Sequence, residues 1–253
     1  MHRFVITVTA LLAMIFCQSA MADLNQKSSI DDVLDALQAS GNNLKSFTAD
    51  LTREESDAIG KDLTRYGKIW FQIKPDGNPI MHLLLNRKKV GDGKVVEDKK
   101  EYLLDDGWVI DRAYDIKVET RRQIAPPGQK VDLFQLGKGP LPLPIGQDKK
   151  AVYKQFEVSR VATDNSDPPD TIHLLLKPKP GSPLADKFTA IDVWVDLKSK
   201  MPVRIQTLDQ PGNQNTNDLQ NLQINPDLKP EDLMLPPLLP GWNSNQIPLM
   251  KKH

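Results

Sequence analysis

Most of the chain alternates apolar and polar residues with a period of two, and one early stretch does not. There Ile30, Val33, Leu34 and Leu37 recur at helical spacing. Ser29 supplies a hydroxyl cap, Asp31 and Asp32 put acids at the positive end of the helix dipole, and Gly41 is placed to end the helix. After it the pattern predicts strands. Phe47, Ala49 and Leu51 share one face of the first, and Ile69, Phe71 and Ile73 one face of the second, which ends in the turn Lys74-Pro75-Asp76-Gly77. Met81, Leu83 and Leu85 define a third, and Tyr102 and Leu104 a fourth before Asp105-Asp106-Gly107. In the fifth, Trp108, Ile110, Arg112, Tyr114, Ile116 and Val118 alternate with residues of the other face.

Residues 125–146 interrupt this order with Pro126-Pro127 and Pro140-Leu141-Pro142-Leu143-Pro144, which flank the apolar group Val131, Leu133, Phe134 and Leu136. Strands resume at 152–163, 171–177, 188–197, 203–208 and 219–224, with a hairpin turn at Asp196-Leu197-Lys198-Ser199-Lys200. A proline-rich apolar tail, 233–242, follows, and Lys251-Lys252-His253 closes the chain. Ten or eleven strands in short meanders, with no alternation of strand and helix, predict one curved antiparallel sheet in a single domain. Such a sheet curls into a barrel or splits into layers. One helix covers only part of a sheet this wide, and the two proline-rich segments are the other covers on offer. A loosely covered sheet would hold an acyl chain, each buried methylene contributing ~0.8 kcal/mol. A plain closed core fits the same periodicity, which does not choose between them.

The first residues are read as an export signal. His2 and Arg3 precede an uncharged apolar run, Phe4 to Cys17, and Ala20-Met21-Ala22 has the small-x-small form of a cleavage site after Ala22. The run is shorter than the roughly 20 residues of a membrane span. Cys17 raises lipid anchoring as an alternative, but Phe16 stands where a small residue is needed. Cys17 is the chain's one cysteine, so the exported part carries no thiol, which suits an oxidising compartment. No Asn-x-Ser/Thr acceptor occurs, which favours a bacterial envelope.

Charge and chemistry narrow the function. Lys plus Arg equals Asp plus Glu at 33 each, which argues against a phosphate-tracking surface and so against nucleic acid. No nucleophile elbow, zinc-protease helix or phosphate loop is present. His82 and His173 stand in strand-like runs without a second ligand at metal-site spacing. The acid pairs Asp31-Asp32, Asp105-Asp106 and Asp167 with Asp170 sit at a helix start or in loops, where solvated carboxylates are expected. No catalytic residue, metal site or cofactor is therefore assigned.

Several segments resemble the LolA-like outer-membrane lipoprotein-sorting family. Leu44-Lys45-Ser46-Phe47-Thr48-Ala49-Asp50-Leu51 is similar to its first strand and residues 66–75, YGKIWFQIKP, to its second. Residues 171–178, TIHLLLKP, resemble a later strand, and 191–204 its late hairpin, with Asp196 before the turn and Met201-Pro202-Val203 after it. Leu222-Gln223-Ile224-Asn225 and the proline-rich tail fit its C-terminus. The resemblance implies a half-open β-barrel with an N-terminal helix and lid segments over an apolar cavity. It also implies a monomeric periplasmic carrier of lipidated proteins or lipids, served by an inner-membrane ATP-driven release complex and an outer-membrane acceptor. The alternative on the same fold is a non-catalytic sensor or interaction module, whose extra partner-binding domain this chain has no room for.

Carried onto this sequence, the cavity would be lined by Phe47, Leu51, Ile69, Phe71, Ile73, Met81, Leu83, Leu85, Tyr102, Leu104, Trp108, Ile110, Tyr114, Ile116, Leu174, Leu176, Ile191 and Val193. Lys74 stands where the family has a lid-latching arginine, and its point charge would make a looser latch. Pro140, Pro142 and Pro144 forbid a regular helix across the middle lid segment. Arg112 shares the parity of Trp108, Ile110 and Tyr114. An unpaired buried guanidinium is costly, so it is either paired, at the rim of the sheet, or facing a head group or lid carbonyl.

Overall fold

Ser29 and Asp32 start the first helix as a reciprocal pair. The Asp32 amide donates to Ser29 Oγ at 3.2 Å and the Ser29 amide to Asp32 Oδ2 at 2.8 Å. The helix, α1 (Ile30–Asn42), buries Val33, Leu34, Ala36 and Leu37, and it runs through Gly41 to a cap at Asn43. The computed structural model describes residues 23–126, 129 and 145–249. The export signal with Cys17, the apolar group 131–136, the prolines at 140, 142 and 144, and the basic end 251–253 lie outside the described residues.

Six strands follow α1: β1 (Ser46–Ser56), β2 (Asp62–Ile73), β3 (Pro79–Val90), β4 (Val96–Asp105), β5 (Trp108–Ala113) and β6 (Val118–Gln123). Next along the chain come α2 (Lys149–Gln155), β7 (Phe156–Arg160), β8 (Thr171–Pro178), β9 (Phe188–Asp196), β10 (Pro202–Asp209) and β11 (Gln214–Ile224). A 3-10 turn, Pro230–Leu233, leads to β12 (Asn243–Ile247). All twelve strands form one sheet in the order β12-β6-β5-β4-β3-β2-β1-β11-β10-β9-β8-β7. Its two edges, β12 and β7, do not pair, so the sheet curls into a half-open barrel. Every pairing is antiparallel except β12 on β6, which is parallel.

Two local departures from the sequence reading have physical causes. Residues 152–155 are helical, not the start of a strand. Val152 and Phe156, four apart, satisfy a period of 3.6 as well as a period of two, and Asp148 caps the helix through the Ala151 amide at 3.1 Å. The long fifth strand is two strands. Tyr114 to Lys117 form a turn with Lys117 in the left-handed region at φ 51°, so Ile116 lies in the turn and is 64% exposed.

Register decides which side chains meet. One face carries Phe47, Phe71, Met81, Leu104 and Val109 in a cross-strand row, and beside it Ala49, Ile69, Leu83, Tyr102 and Asp111. This is the concave face, and α1 and α2 close over it. The β2–β3 ladder kinks at Gly67, where a Cβ would lie 1.9 Å from the Leu84 carbonyl oxygen. The opposite face carries Trp70, His82, Leu103 and Ile110 in one row and Glu101, Arg112 and Glu119 in another.

Candidate functional site

The concave face is apolar along its middle. Phe47, Leu51, Ile69, Phe71, Met81, Leu83, Leu85, Leu104, Leu174, Leu176, Ile191 and Val193 are buried in one core with Val33, Leu34 and Leu37 of α1 and Val152 of α2. Phe47 and Phe71 stack at 5.3 Å. Tyr102 packs against this core half-buried, and Ile73 lies at the end of β2, 36% exposed. Under the helices, Leu34, Leu37, Val152, Leu174, Leu176 and Val193 leave only about 10 Å³ free. A water needs about that much, so at this place the helices are closed onto their lining.

Polar ties hold the roof at its rim, among them the Gly146 amide to the Leu37 carbonyl at 3.3 Å and Lys179 Nζ to the Tyr153 carbonyl at 2.7 Å. Lys149 Nζ meets Asp35 at 2.7 Å and Tyr153 donates to Asp31 at 2.6 Å, joining α2 to α1 at the surface. Gly41 and Gly146 touch backbone to backbone, for a Cβ on Gly41 would lie 2.2 Å from the Gly146 Cα. No side chain larger than hydrogen fits at Gly41 without moving that backbone.

Toward the hairpin tips the same face becomes charged. Arg65 and Lys88 both hold Asp98, the latter at 3.0 Å, and Arg53 meets Glu55 at 2.7 Å. Burial pushes Asp98 up, but the hydrogen bonds and charges of Arg65 and Lys88 outweigh it and leave the carboxyl below its ordinary range. Among the described residues Asp111 has no such partner, and burial raises it. Burial, with the Asp111 charge, also raises Tyr102. Beyond this belt the β1–β2, β3–β4 and β10–β11 tips converge on an open cleft of about 760 Å³, lined by Glu55, Leu63, Val90 and Asn215 among others. A dry lining, a charged belt and an open mouth thus lie in line along one face.

Four predicted lining residues are elsewhere. Trp108, Ile110 and Tyr114 point to the opposite face, and Ile116 lies in the β5–β6 turn. The reason is the two-residue turn Asp106-Gly107, both residues at positive φ, which pairs Asp105 with Trp108. Leu104 therefore faces Val109, and Tyr102 faces Asp111. The residues of β5 on the concave side are Val109 and Asp111, which parity counted from Trp108 assigns to the wrong face.

That opposite face has its own cover, which is the C-terminal tail and not a concave-side lid segment. Leu233 of the tail is buried with Ile80, Leu103 and Ile110, and Leu228 and Leu235 pack beside it with Trp70. His82 stacks on Trp70 at 5.2 Å and donates Nδ1–H to the Asp232 carbonyl at 2.8 Å; a carbonyl only accepts, so that nitrogen carries the proton. Arg112 Nε donates to Glu119 at 2.8 Å and Nη1 to the Pro236 carbonyl at 2.5 Å. Arg112 is thus in a buried salt bridge and also holds a backbone carbonyl, that of the tail. Tyr114 donates to Glu101 and meets Trp242 edge-on at 4.9 Å. Burial pushes Glu101 up, yet His82 3.6 Å away, the Tyr114 hydrogen bond and the Lys99 charge bring it below its ordinary value. Lys74 is bound to Asp105 at 2.7 Å, tying the end of β2 to the end of β4.

The outer side of β8–β11 repeats the device with a loop. His173 stacks on Trp194 at 4.0 Å, the Trp194 indole donates to Asp167 at 2.5 Å, and Arg204 donates to the Ser166 carbonyl at 2.7 Å. The sequence reading missed both outer clusters. The available signal was the runs MHLLL and IHLLL, apolar on both parities, which mark strands covered on both faces. Among the described residues, no helix is long and apolar enough to cross a membrane, and no group of three or more His, Cys, Asp or Glu could hold a metal ion.

No protein-family model matches the chain, and no curated protein matches it. Among solved structures it is similar to MucB, at 15% identity over 82% of this chain and 63% of that one, with a TM-score of 0.49. It therefore spans under two thirds of that protein's length. It is similar to an uncharacterized conserved protein from Thermus thermophilus, at 12% identity over 87% and 99% of the two chains, with a TM-score of 0.48. A LolA superfamily protein from Nitrosomonas europaea is similar at 10% identity over 82% and 98%, with a TM-score of 0.32.

Proposed function

We propose that this protein is a periplasmic carrier that shields acyl chains of a lipoprotein, or of a related lipid, against its concave face and passes them toward the outer membrane. The observation that carries the reading is the continuous apolar lining roofed by α1 and α2, with charged groups and an open cleft at one end. An acylated cargo has the same layout, a hydrocarbon chain joined to a polar head. The export signal read in the sequence and the family-like motifs support an envelope location. The carrier acts as a monomer and makes or breaks no bond.

The closed roof sets the energetics. Freeing Val33, Leu34, Leu37 and Val152 from the lining costs about 6–12 kcal/mol at roughly 1.5–3 kcal/mol per side chain. Roughly ten methylenes taken out of water return about 8 kcal/mol. The two are of one size, so cargo replaces the helices at little net cost, and a tighter acceptor can take it onward. An ATP-driven complex at the inner membrane would load the carrier, and an outer-membrane acceptor would unload it. The test is uptake of a fluorescent fatty acid by the purified protein and by Leu174→Asp, which puts a charge under the roof. Saturable uptake that the variant loses supports the carrier. No uptake by either protein contradicts it and leaves an interaction module on the same fold.

A further inference from the structure

The outer face holds a second cavity, unrelated to the concave lining. About 450 Å³ lies between the tail and strands β4–β6, walled by Lys99, Arg112 and Lys117 and roofed by residues 236–239 and Trp242. That volume falls in the range of small-molecule pockets, about 300–1,000 Å³. Its charge is one-sided. Among the described residues three cations line it and no carboxylate does; Glu101 and Glu119 stand outside the lining, the one held by Tyr114 and Lys99 and the other by Arg112.

Arg112 is the most telling group. It is 7% exposed, its Nε and Nη1 are spent on Glu119 and Pro236, and its Nη2 makes no hydrogen bond to a described residue. Arg112 lines the cavity, where a bound anion would give that donor an acceptor. Lys117 forms no ion pair with a described residue, and Lys99, 4.3 Å over the Tyr114 ring, stands 3.4 Å from Glu101. The roof has the opposite character. Leu239 is 71% exposed and Leu238 37%, beside two prolines and an indole. Apolar surface left in water next to converging cations matches a ligand with an acidic head and a hydrocarbon part.

We propose that this pocket is a second ligand site for a small anionic amphiphile. A carboxylate or phosphate head accepts from Arg112 Nη2 and pairs with Lys99 and Lys117, while the apolar part lies under residues 236–239 and against Trp242. The same chemistry is offered by a free monomer and by the head of a membrane lipid.

The test is a ¹H–¹⁵N titration of the purified protein with decanoate, with decanol, and with vesicles of phosphatidylglycerol or phosphatidylcholine. Decanoate is expected to move the Trp242 indole and Lys117 amide signals saturably, and decanol to leave them in place. In Lys99→Gln/Lys117→Gln, compared with the parent under conditions where urea titration shows both fully folded, affinity should fall at least tenfold. A response to decanoate alone identifies a free monomer as the ligand; a response to phosphatidylglycerol and not phosphatidylcholine vesicles identifies a lipid head. Equal shifts from decanoate and decanol, undiminished binding by the double variant, or shifts confined to concave residues such as Leu34 and Leu174 overturn the proposal. No response to decanoate or to either vesicle overturns it as well.

Discussion

The two faces of the sheet solve the same problem, covering a strand surface, with different chemistry. The concave face is closed by helices through apolar contact alone at its centre, where dispersion and hydrophobic burial act without direction. The opposite face is closed by an extended tail, whose backbone cannot satisfy itself and must borrow partners from the sheet. His82 and Arg112 therefore donate to the Asp232 and Pro236 carbonyls, and Ser244 donates to Glu119 at 3.3 Å. A greasy contact can be exchanged for another greasy surface at little cost. A cover held by buried directional bonds cannot, because each broken bond leaves a buried group unsatisfied. On this reasoning the helices are the movable cover and the tail the fixed one.

The largest effects should come from single deletions on each face, and they should differ in how they can be repaired. Phe71→Ala removes a fully buried ring from the concave core and should cost about 3–5 kcal/mol in urea unfolding. Arg112→Met leaves Glu119 buried without its partner and should cost about 3–5 kcal/mol. Adding Glu119→Leu should restore the part of that loss due to the unpaired carboxylate and leave the part due to the Pro236 carbonyl and Ser244, whose partners stay missing. If the double variant is as stable as the parent, these tail bonds contribute nothing to holding the cover.

Gly41→Ala tests the roof with a smaller change. Its methyl group would overlap Gly146, so α1 must separate from the segment before α2. A loss of about 1–3 kcal/mol is expected, together with faster fatty-acid uptake in stopped flow. A destabilised variant with unchanged uptake kinetics would show that the roof does not gate entry.

The smallest effect is a difference in sign with pH. Glu101, on the tail side, sits below its ordinary value of 4.5, so it stabilises the fold above that pH, and the contribution is lost as pH falls below it. Asp111, on the concave side, is raised by burial, so its charged form opposes folding and protonation relieves the cost. Glu101→Gln should lower the urea midpoint at pH 7 and flatten its fall toward pH 4. Asp111→Asn should raise the midpoint at pH 7, with the gain fading in acid. Equal responses from the two variants would remove this contrast between the faces.

Much of the concave face was legible in the sequence because β1 to β4 alternate cleanly and the helix spacing at Ile30 to Leu37 is unambiguous. The lining beyond β4 was not, because parity says which residues share a face and not which face is inward. For β5 the answer lay in Asp106-Gly107, a two-residue hairpin turn that fixes register by pairing the residues on either side. Val152 and Phe156 fit two periods at once. The tail was read as an apolar cover and is one, but its destination depends on His82 and Arg112, which lie 150 and 124 residues from their tail partners in sequence. Such partners leave no trace in local pattern.

The central claim is that a hydrocarbon chain replaces the helices on the concave face. Its most direct test is native mass spectrometry of the protein purified from its native host, before and after a synthetic diacylated lipopeptide is offered. The account predicts one bound acylated molecule per chain, retained by Lys99→Gln/Lys117→Gln and lost in Leu174→Asp. A bare protein mass throughout, or an adduct that Leu174→Asp keeps, would contradict it.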